Sequence, residues 1–328
     1  LGCRPGEVVF TGGGTEADNL AIAGVHAAAG GVVVCSAIEH HAVLDPVEAL
    51  GGRVVAVDAM ARLDLEALAD VLDESVCLVS VMLANNEIGV VQDLSAVAAV
   101  MAEGAPRAVL HTDAVQAFPW LDVAALAAPA QLVSVSAHKF GGPQGVGALV
   151  VRAGTPLSPL LRGGGQERGR RSGTQNVAGI GAMAAAAVAA ASDRDVTVAR
   201  VARLRDRLAD EIVARLSDVT ETAVGVDAGG RPDRGGKVAG SCHLCIDGVE
   251  NEALLFLLDQ AGVAASAASS CASGALDPSH VLAAIGVPRE RAKGSLRLSL
   301  GATTTDAEID HAVDAVVGAV ERLRGLGR

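Results

Sequence analysis

Aromatic residues are nearly missing from this sequence: among 328 residues there are four Phe, one Trp and no Tyr, 2% in all. Surfaces that hold nucleic acids stack bases on aromatic rings and neutralise phosphates with basic side chains. An excess of base is missing too, since 38 Asp and Glu outnumber 26 Lys and Arg and the formal charge is -12. Direct nucleic-acid binding is therefore not expected. The longest apolar run, residues 178–191, is mostly alanine. It falls short of the ~20 residues that cross a bilayer, so it reads as a packed helix and no membrane partner is expected. The opening LGCRPGEVVF has no initiator Met, no basic leader and no secretory apolar segment, which implies a start that is missing or processed away. Six cysteines at irregular positions (Cys3, Cys35, Cys77, Cys242, Cys245, Cys271) do not form a disulfide framework in a chain this long, and a reducing cytoplasm is expected.

What is present is a globular composition, 50% hydrophobic with 39 glycines, long enough for a large core and two domains. Short β-branched runs at 7–10, 31–35, 53–57, 76–81, 108–110, 132–135 and 146–151 alternate with helical stretches at 16–29, 63–72 and 94–103. This punctuation predicts an α/β fold with a mostly parallel sheet and flanking helices. Ligands of such sheets sit at the C-terminal edges of the strands. A charged amphipathic helix is predicted over 195–216, then strands at 241–246 and 295–300 around a helix at 251–260. Residues 1–191 are read as a large domain and 192–328 as a smaller α+β domain.

The stretch QLVSVSAHKFGGPQGVGALVV places Lys139 where a strand yields to a glycine-rich loop. A lysine there snorkels to the surface, or it is desolvated and suited to form a Schiff base. Four other groups fall at strand ends. VVFTGGGTEADNLAIAG is either an ordinary glycine connection or a phosphate cradle of backbone N–H groups and the Thr15 hydroxyl. In AVLHTDAVQAFP, Asp113 caps a helix or pairs with a pyridinium nitrogen. SAIEHHAVL puts His40 or His41 after a strand, as a structural or a catalytic histidine. Asn85 and Asn86 of VMLANNEIGVVQ cap a turn or donate to an anion. A phosphate cradle, an aspartate, a histidine and a lysine have a pyridoxal-phosphate site as their simplest common explanation. Cys242 and Cys245 of SCHLCIDG resemble a metal or redox pair, yet on a strand residues three apart face opposite ways, and no metal site is expected.

The strings FTGGGTEADNLAI, EHHAVL, NNEIGVVQD, HTDAVQAFP, SVSAHKFGGPQGVGAL, GGGQERGRRSGTQNV, SCASGALDPSHVL and GSLRLSLG resemble, in order and over nearly the whole chain, the motifs of cysteine desulfurases. These belong to the class V aminotransferase group of fold type I pyridoxal-phosphate enzymes. The resemblance implies pyridoxal 5'-phosphate as cofactor and L-cysteine as substrate. It implies that Lys139 holds the cofactor, Asp113 pairs with its ring nitrogen, Gln116 bonds its hydroxyl and His40 stacks on the ring as a further catalytic residue. Gly14, Thr15, Ser136 and His138 would hold the phosphate, with Thr174 reaching across from the second subunit of a homodimer. Asn86, near the cofactor, and Arg297 would take the substrate carboxylate, a job that suits a guanidinium fork.

Cys271, set in the small and polar AASAASSCASGALDP, matches the family's nucleophile, which receives the sulfur as a persulfide. Its spacing to Pro278 resembles the long-loop branch that donates sulfur to scaffold proteins, so an acceptor in iron–sulfur cluster assembly or tRNA thiolation is implied. His41 falls where the family shows no fixed function. The sequence departs from the family in lacking a preceding Asn-Ala-Ala-Thr stretch and in having GGGTE for Ser-Gly-Ala-Thr-Glu. The rival readings are a related pyridoxal-phosphate enzyme, such as a selenocysteine lyase, and a non-catalytic chain that binds partner proteins.

Overall fold

The computed structural model describes residues 1–267 and 279–326. The chain divides into two compact units. The first comprises Leu1–Asp58, Arg62–Asn85 and Val91–Arg194; the second comprises Ala59–Ala61, Asn86–Val90 and Asp195–Arg328.

In the first unit the elements run β1 (Val8–Thr11), α1 (Gly14–Ala29), β2 (Val32–Ser36), α2 (His41–Ala49), β3 (Arg53–Val55), α3 (Leu65–Val71), β4 (Val76–Ser80), α4 (Leu94–Gly104), β5 (Val109–Asp113), α5 (Val123–Leu126), β6 (Leu132–Ser136), β7 (Gly147–Val151) and α6 (Val177–Ser192). The strands form one sheet in the order β1-β7-β6-β5-β4-β2-β3. The pairings from β6 through β5, β4 and β2 to β3 are parallel, while β7 runs antiparallel to both β6 and β1. Strands β4 to β7 bury every residue, as strands covered on both faces do. Asp64 and Asp93 cap α3 and α4, each accepting two backbone N–H bonds, which is why these helices begin where they do.

Helix α2 is not among the helical stretches read from the sequence; it contains Pro46, which removes an N–H from the helical ladder. The carbonyl of Ala42, four residues earlier, accepts instead from Asn19 Nδ2 of α1 at 3.2 Å. Helix α1 lays Ala17, Leu20, Ile22 and Val25 into a core shared with Val33, Leu78, Leu132 and Leu149 of the sheet. This packing fixes the start of α1 beside the ends of β1 and β6.

The second unit is built on α7 (Arg194–Arg215), β8 (Val219–Glu221), the short pair β9 (Gly225–Val226) and β10 (Pro232–Asp233), then β11 (Ser241–Ile246), α8 (Asn251–Gln260), α9 (His280–Ala284), α10 (Arg289–Ala292), β12 (Ser295–Ser299) and α11 (Asp306–Leu326). Its antiparallel sheet has the order β12-β11-β8, with His243 opposite Arg297. Among the described residues no helix is long and apolar enough to cross a membrane.

Leu20 is 2% exposed, and Leu20→Ala is expected to lower stability by about 2–5 kcal/mol, as large-to-small core changes do. Urea denaturation of both proteins measures it; a loss below ~1 kcal/mol would mean that α1 is not held by this face.

Candidate active site

The C-terminal ends of β1, β2, β4, β5 and β6 share one edge of the sheet, and most of the residues expected to carry chemistry lie there. The turn after β1 is one that glycine makes possible. Gly13 has φ 156° and ψ -174°, a conformation essentially confined to glycine. A Cβ on Gly147 of β7 would lie 2.7 Å from the Gly13 carbonyl carbon. Because the turn packs this tightly, α1 starts at the sheet edge, where its first N–H groups, which have no partners within the helix, point outward with the positive end of the helix dipole. The turn is braced. Thr11 Oγ1 donates to the Gly13 carbonyl at 2.9 Å, and the Gly12 N–H donates to Glu16 Oε2 at 2.7 Å. Glu16 is in turn held by the Arg171 fork at 2.7 and 3.2 Å. The turn lines an open cavity of about 670 Å³ together with Thr15, Ser136 and His138, and Ser136 Oγ and His138 Nδ1 share a 2.9 Å hydrogen bond. Burial lowers the His138 pKa, and the Lys139 charge adds to that.

Next along the edge is a set of buried acids. Asp113, at the end of β5, is 6% exposed, and its Oδ1 accepts from the Val115 N–H at 2.8 Å. Burial raises its pKa, opposed by that hydrogen bond and by the charge on Lys139. Asp18 of α1 is held well above the usual carboxylate range by burial and then by Asp113. Glu39, whose Oε1 accepts from the Met82 N–H at 2.7 Å, is raised in the same way by burial, with Asp113 adding to it. His111 lies two residues before Asp113 on the same face of β5, hydrogen-bonded to Ser80 at 2.8 Å and Ser134 at 3.0 Å. Its Nε2 lies 3.6 Å from Asp18 Oδ1. Burial lowers the His111 pKa to about 3, so the ring is neutral and the contact is not an ion pair.

The remaining expected residues divide between the units. His40 is the cap of α2, its Nδ1 accepting from the Ala42 N–H at 3.0 Å, which leaves the ring proton on Nε2. Gln116 is half-buried in the turn after β5 and Thr174 is exposed before α6. Lys139 is exposed in the short turn after β6, so of the two alternatives its sequence leaves open the structure has the exposed one: the turn carries it out of the sheet rather than into the core. It is nonetheless the one lysine of three placed at this edge. Lys237 is buried in the second unit and donates to the Thr222 carbonyl, and Lys293 pairs with Glu290 at 2.9 Å. Asn85 is buried and donates to the Ile38 carbonyl at 2.9 Å, a structural role. His41 pairs with Asp45 at 3.1 Å on the exposed side of α2.

In the second unit, Arg297 Nη1 donates to the Asn86 carbonyl at 3.1 Å, while its Nε is buried and has no partner among the described residues. Cys271 lies outside the described residues. Cys242 and Cys245 are buried on β11, three apart and therefore on opposite faces; burial pushes the Cys242 thiol up to about 12. Asp18, Glu39 and His111 were not among the residues expected to carry chemistry, although all three lie within the motif strings. Their signal was spacing: Asp18 falls one helical turn after Thr15, and His111 two strand positions before Asp113.

A parallel sheet with a glycine-turn cradle, a buried aspartate and a lysine at its C-terminal edge is the scaffold of a fold type I pyridoxal-phosphate enzyme. The aminotransferase class-V family model matches residues 1–312, and the chain belongs to that family, whose members generally use pyridoxal phosphate. Its relatives narrow the group. It is 42% identical over 339 residues to an IscS-like cysteine desulfurase of Mycobacterium tuberculosis, covering 99% of this chain and 84% of that one. It is 39% identical to the cysteine desulfurase IscS of Dictyoglomus turgidum, covering 99% and 82%. A solved NifS-like protein superposes with a TM-score of 0.87 at 30% identity, covering 98% of this chain and 84% of that chain. Within the family, the chain's place is among the cysteine desulfurases.

A carboxyl whose pKa is higher in the folded than in the unfolded state holds its proton more tightly when folded. Its contribution favours folding at low pH and is lost as pH rises through the ordinary carboxylate range to the raised value. Asp113→Asn should therefore stabilise the cofactor-free protein by on the order of 1–3 kcal/mol at pH ~8 and leave it unchanged near pH ~3, below both values. Urea denaturation at the two pH values measures this. An equal effect at both would show that Asp113 carries no burial penalty.

Proposed function

We propose that this chain is a pyridoxal-phosphate-dependent cysteine desulfurase that takes sulfur from L-cysteine and releases L-alanine. The observation that carries the proposal is the pairing, on one sheet edge, of an anion-favouring helix start with a buried carboxylate that favours a cation. A ligand with a phosphate at one end and a protonated ring nitrogen at the other answers both, so the residues present fit the cofactor. In this reading Gly14, Thr15, Ser136 and His138 hold the phosphate, with Thr174 of a second copy. Asp113 pairs with the ring nitrogen, Gln116 bonds the ring hydroxyl, His40 stacks on the ring and Asn86 lies near it. When bound, pyridoxal 5'-phosphate supplies an electron sink for bonds broken at the substrate.

The chain's own residues supply the rest. Arg297 and Asn86 bind the substrate carboxylate; the buried Nε of Arg297, without a partner among the described residues, supports that role, because an anion would satisfy it. Lys139 anchors the cofactor and, as a free amine, removes the Cα proton. The Cys271 thiolate attacks the sulfur of cysteine, forming the S–S bond as the C–S bond breaks. The C–S electron pair stays with carbon, which takes up a proton to become alanine, and Cys271 is left as a persulfide. The sulfur then passes to an acceptor protein serving iron–sulfur cluster assembly or tRNA thiolation, in the cytoplasm, where thiols persist.

A homodimer is part of this reading. Helix α6 is almost wholly apolar yet buries only Gly179 and Met183, and Val177 and Val188 are 76% and 67% exposed. Apolar faces of this kind mark interfaces.

The purified protein is expected to absorb in the visible when loaded with pyridoxal phosphate, and the band should shift on adding cysteine. Lys139→Ala should abolish the band and lower alanine formation by on the order of 10⁴-fold, whereas Cys271→Ser should keep the band and lose at least ~10²-fold of the sulfur-transfer rate. A colourless protein, or sulfur transfer that survives Cys271→Ser, would contradict the proposal. In sedimentation, wild type should run as a dimer and Val188→Glu should shift toward monomer; an unchanged dimer would remove α6 from the interface.

A further inference from the structure

One five-residue strap, Asn86–Val90, belongs to the second unit although its neighbours in sequence belong to the first. It is pinned there along its length. Ser241 Oγ donates to the Glu87 carbonyl at 3.3 Å, the Val238 N–H donates to the Gly89 carbonyl at 2.8 Å, and Val90 bridges to Lys237. Gly89, at φ 80°, lies so close to β11 that a Cβ on it would meet the Ser241 Cβ at 2.8 Å. Glu87 is 5% exposed, and its carboxylate Oε2 accepts the hydroxyl of Ser279. Ser279 is 4% exposed and caps α9, its Oγ accepting from the N–H groups of Val281 at 3.1 Å and Leu282 at 3.4 Å. Its single proton is thus committed to Glu87 while its lone pairs serve the helix. On the other side of Glu87, the Asn86 carbonyl accepts from Arg297 Nη1 at 3.1 Å. The Arg297 backbone is itself clamped by Ser266 through bonds of 3.1 and 2.7 Å.

We propose that Glu87 is a positioning residue for the amino-acid substrate: its hydrogen bond with Ser279 fixes the strap so that Asn86 holds the Arg297 guanidinium in place for a carboxylate. The inference rests on the reading of Asn86 and Arg297 as the carboxylate site. A buried carboxylate is a costly way to hold a strap, and a charged acceptor makes a stronger, shorter bond than a neutral one. The geometry therefore suits a residue that must be held to a fraction of an ångström.

The test is a double-mutant cycle on the cofactor-loaded protein with L-cysteine, comparing Glu87→Ala, Arg297→Ala and the pair. KM should rise about tenfold in Glu87→Ala, with the pyridoxal-phosphate affinity unchanged. The same step should fall to less than about twofold in the Arg297→Ala background, because a residue that acts through Arg297 has nothing left to position. Glu87→Gln, which still offers an acceptor, should recover part of the loss. Where Glu87→Ala does not fold, Ser279→Ala removes only the donor and should give the same non-additive rise in KM. An unchanged KM in both, or effects that add to that of Arg297→Ala, would overturn the inference. If Arg297→Ala alone leaves KM unaltered, it is the carboxylate reading that fails, and the inference falls with it.

Discussion

A carboxylate kept from water needs a cation, and the candidate active site is arranged around that need. Asp113 ends a wholly buried strand, with the buried acids Asp18 and Glu39 within reach of its field and a neutral imidazole, His111, on its own strand face. No positive charge among these groups offsets it. Lys139 lowers its pKa only as the third influence, behind burial and the Val115 hydrogen bond. In the proposed reading a ligand with a cationic ring atom would complete the balance of charge, and a site with these residues would gain affinity for it by removing a penalty the protein otherwise bears.

Elsewhere on the same sheet edge the sign reverses. The start of α1 presents unpaired N–H groups and a positive dipole, held by a turn whose backbone only glycine adopts. In the proposed reading the two features together would suit a molecule that is anionic at one end and cationic at the other. The same arrangement explains why the sheet matters to the chemistry. Parallel strands bring the ends of β2, β4, β5 and β6 to one edge, and the antiparallel β7 places Gly147 opposite both Ser136 and Thr11, closing the cradle against its neighbours.

Much of this was legible in the sequence because the signals were local. Alternating β-branched runs and helical stretches marked seven strands of the large sheet to within a few residues, and the glycine turn before Thr15 marked the start of α1. What was not legible depended on groups distant in sequence. Helix α2 contains Pro46, and the Ala42 carbonyl that the proline leaves without its helical donor is met by the amide of Asn19, far upstream. That β7 and β1 run antiparallel to their neighbours leaves no mark on their composition, since a buried strand looks the same in either direction. Asp18 and His111 carry no motif of their own; their role comes from burial next to Asp113. Asn86–Val90 joins the second unit through a glycine contact, main-chain hydrogen bonds and bonds from the side chains of Ser241, Ser279 and Arg297, all far along the sequence. Whether Lys139 is exposed or desolvated was left open by its local sequence, because that depends on the turn after β6, which leaves it exposed. Cys271, the residue assigned the sulfur, lies outside the described residues, so its part in the account rests on the motif around it.

The central claim is that the edge holding Asp113 and the α1 cradle binds pyridoxal phosphate through Lys139. The most direct measurement is borohydride reduction of the pyridoxal-phosphate-loaded protein followed by peptide mapping, which is decisive here because the sequence has only three lysines, Lys139, Lys237 and Lys293. The account predicts a pyridoxyl mass on the peptide that contains Lys139 and on neither of the others. A label on Lys237 or Lys293, or no label at all, would contradict it.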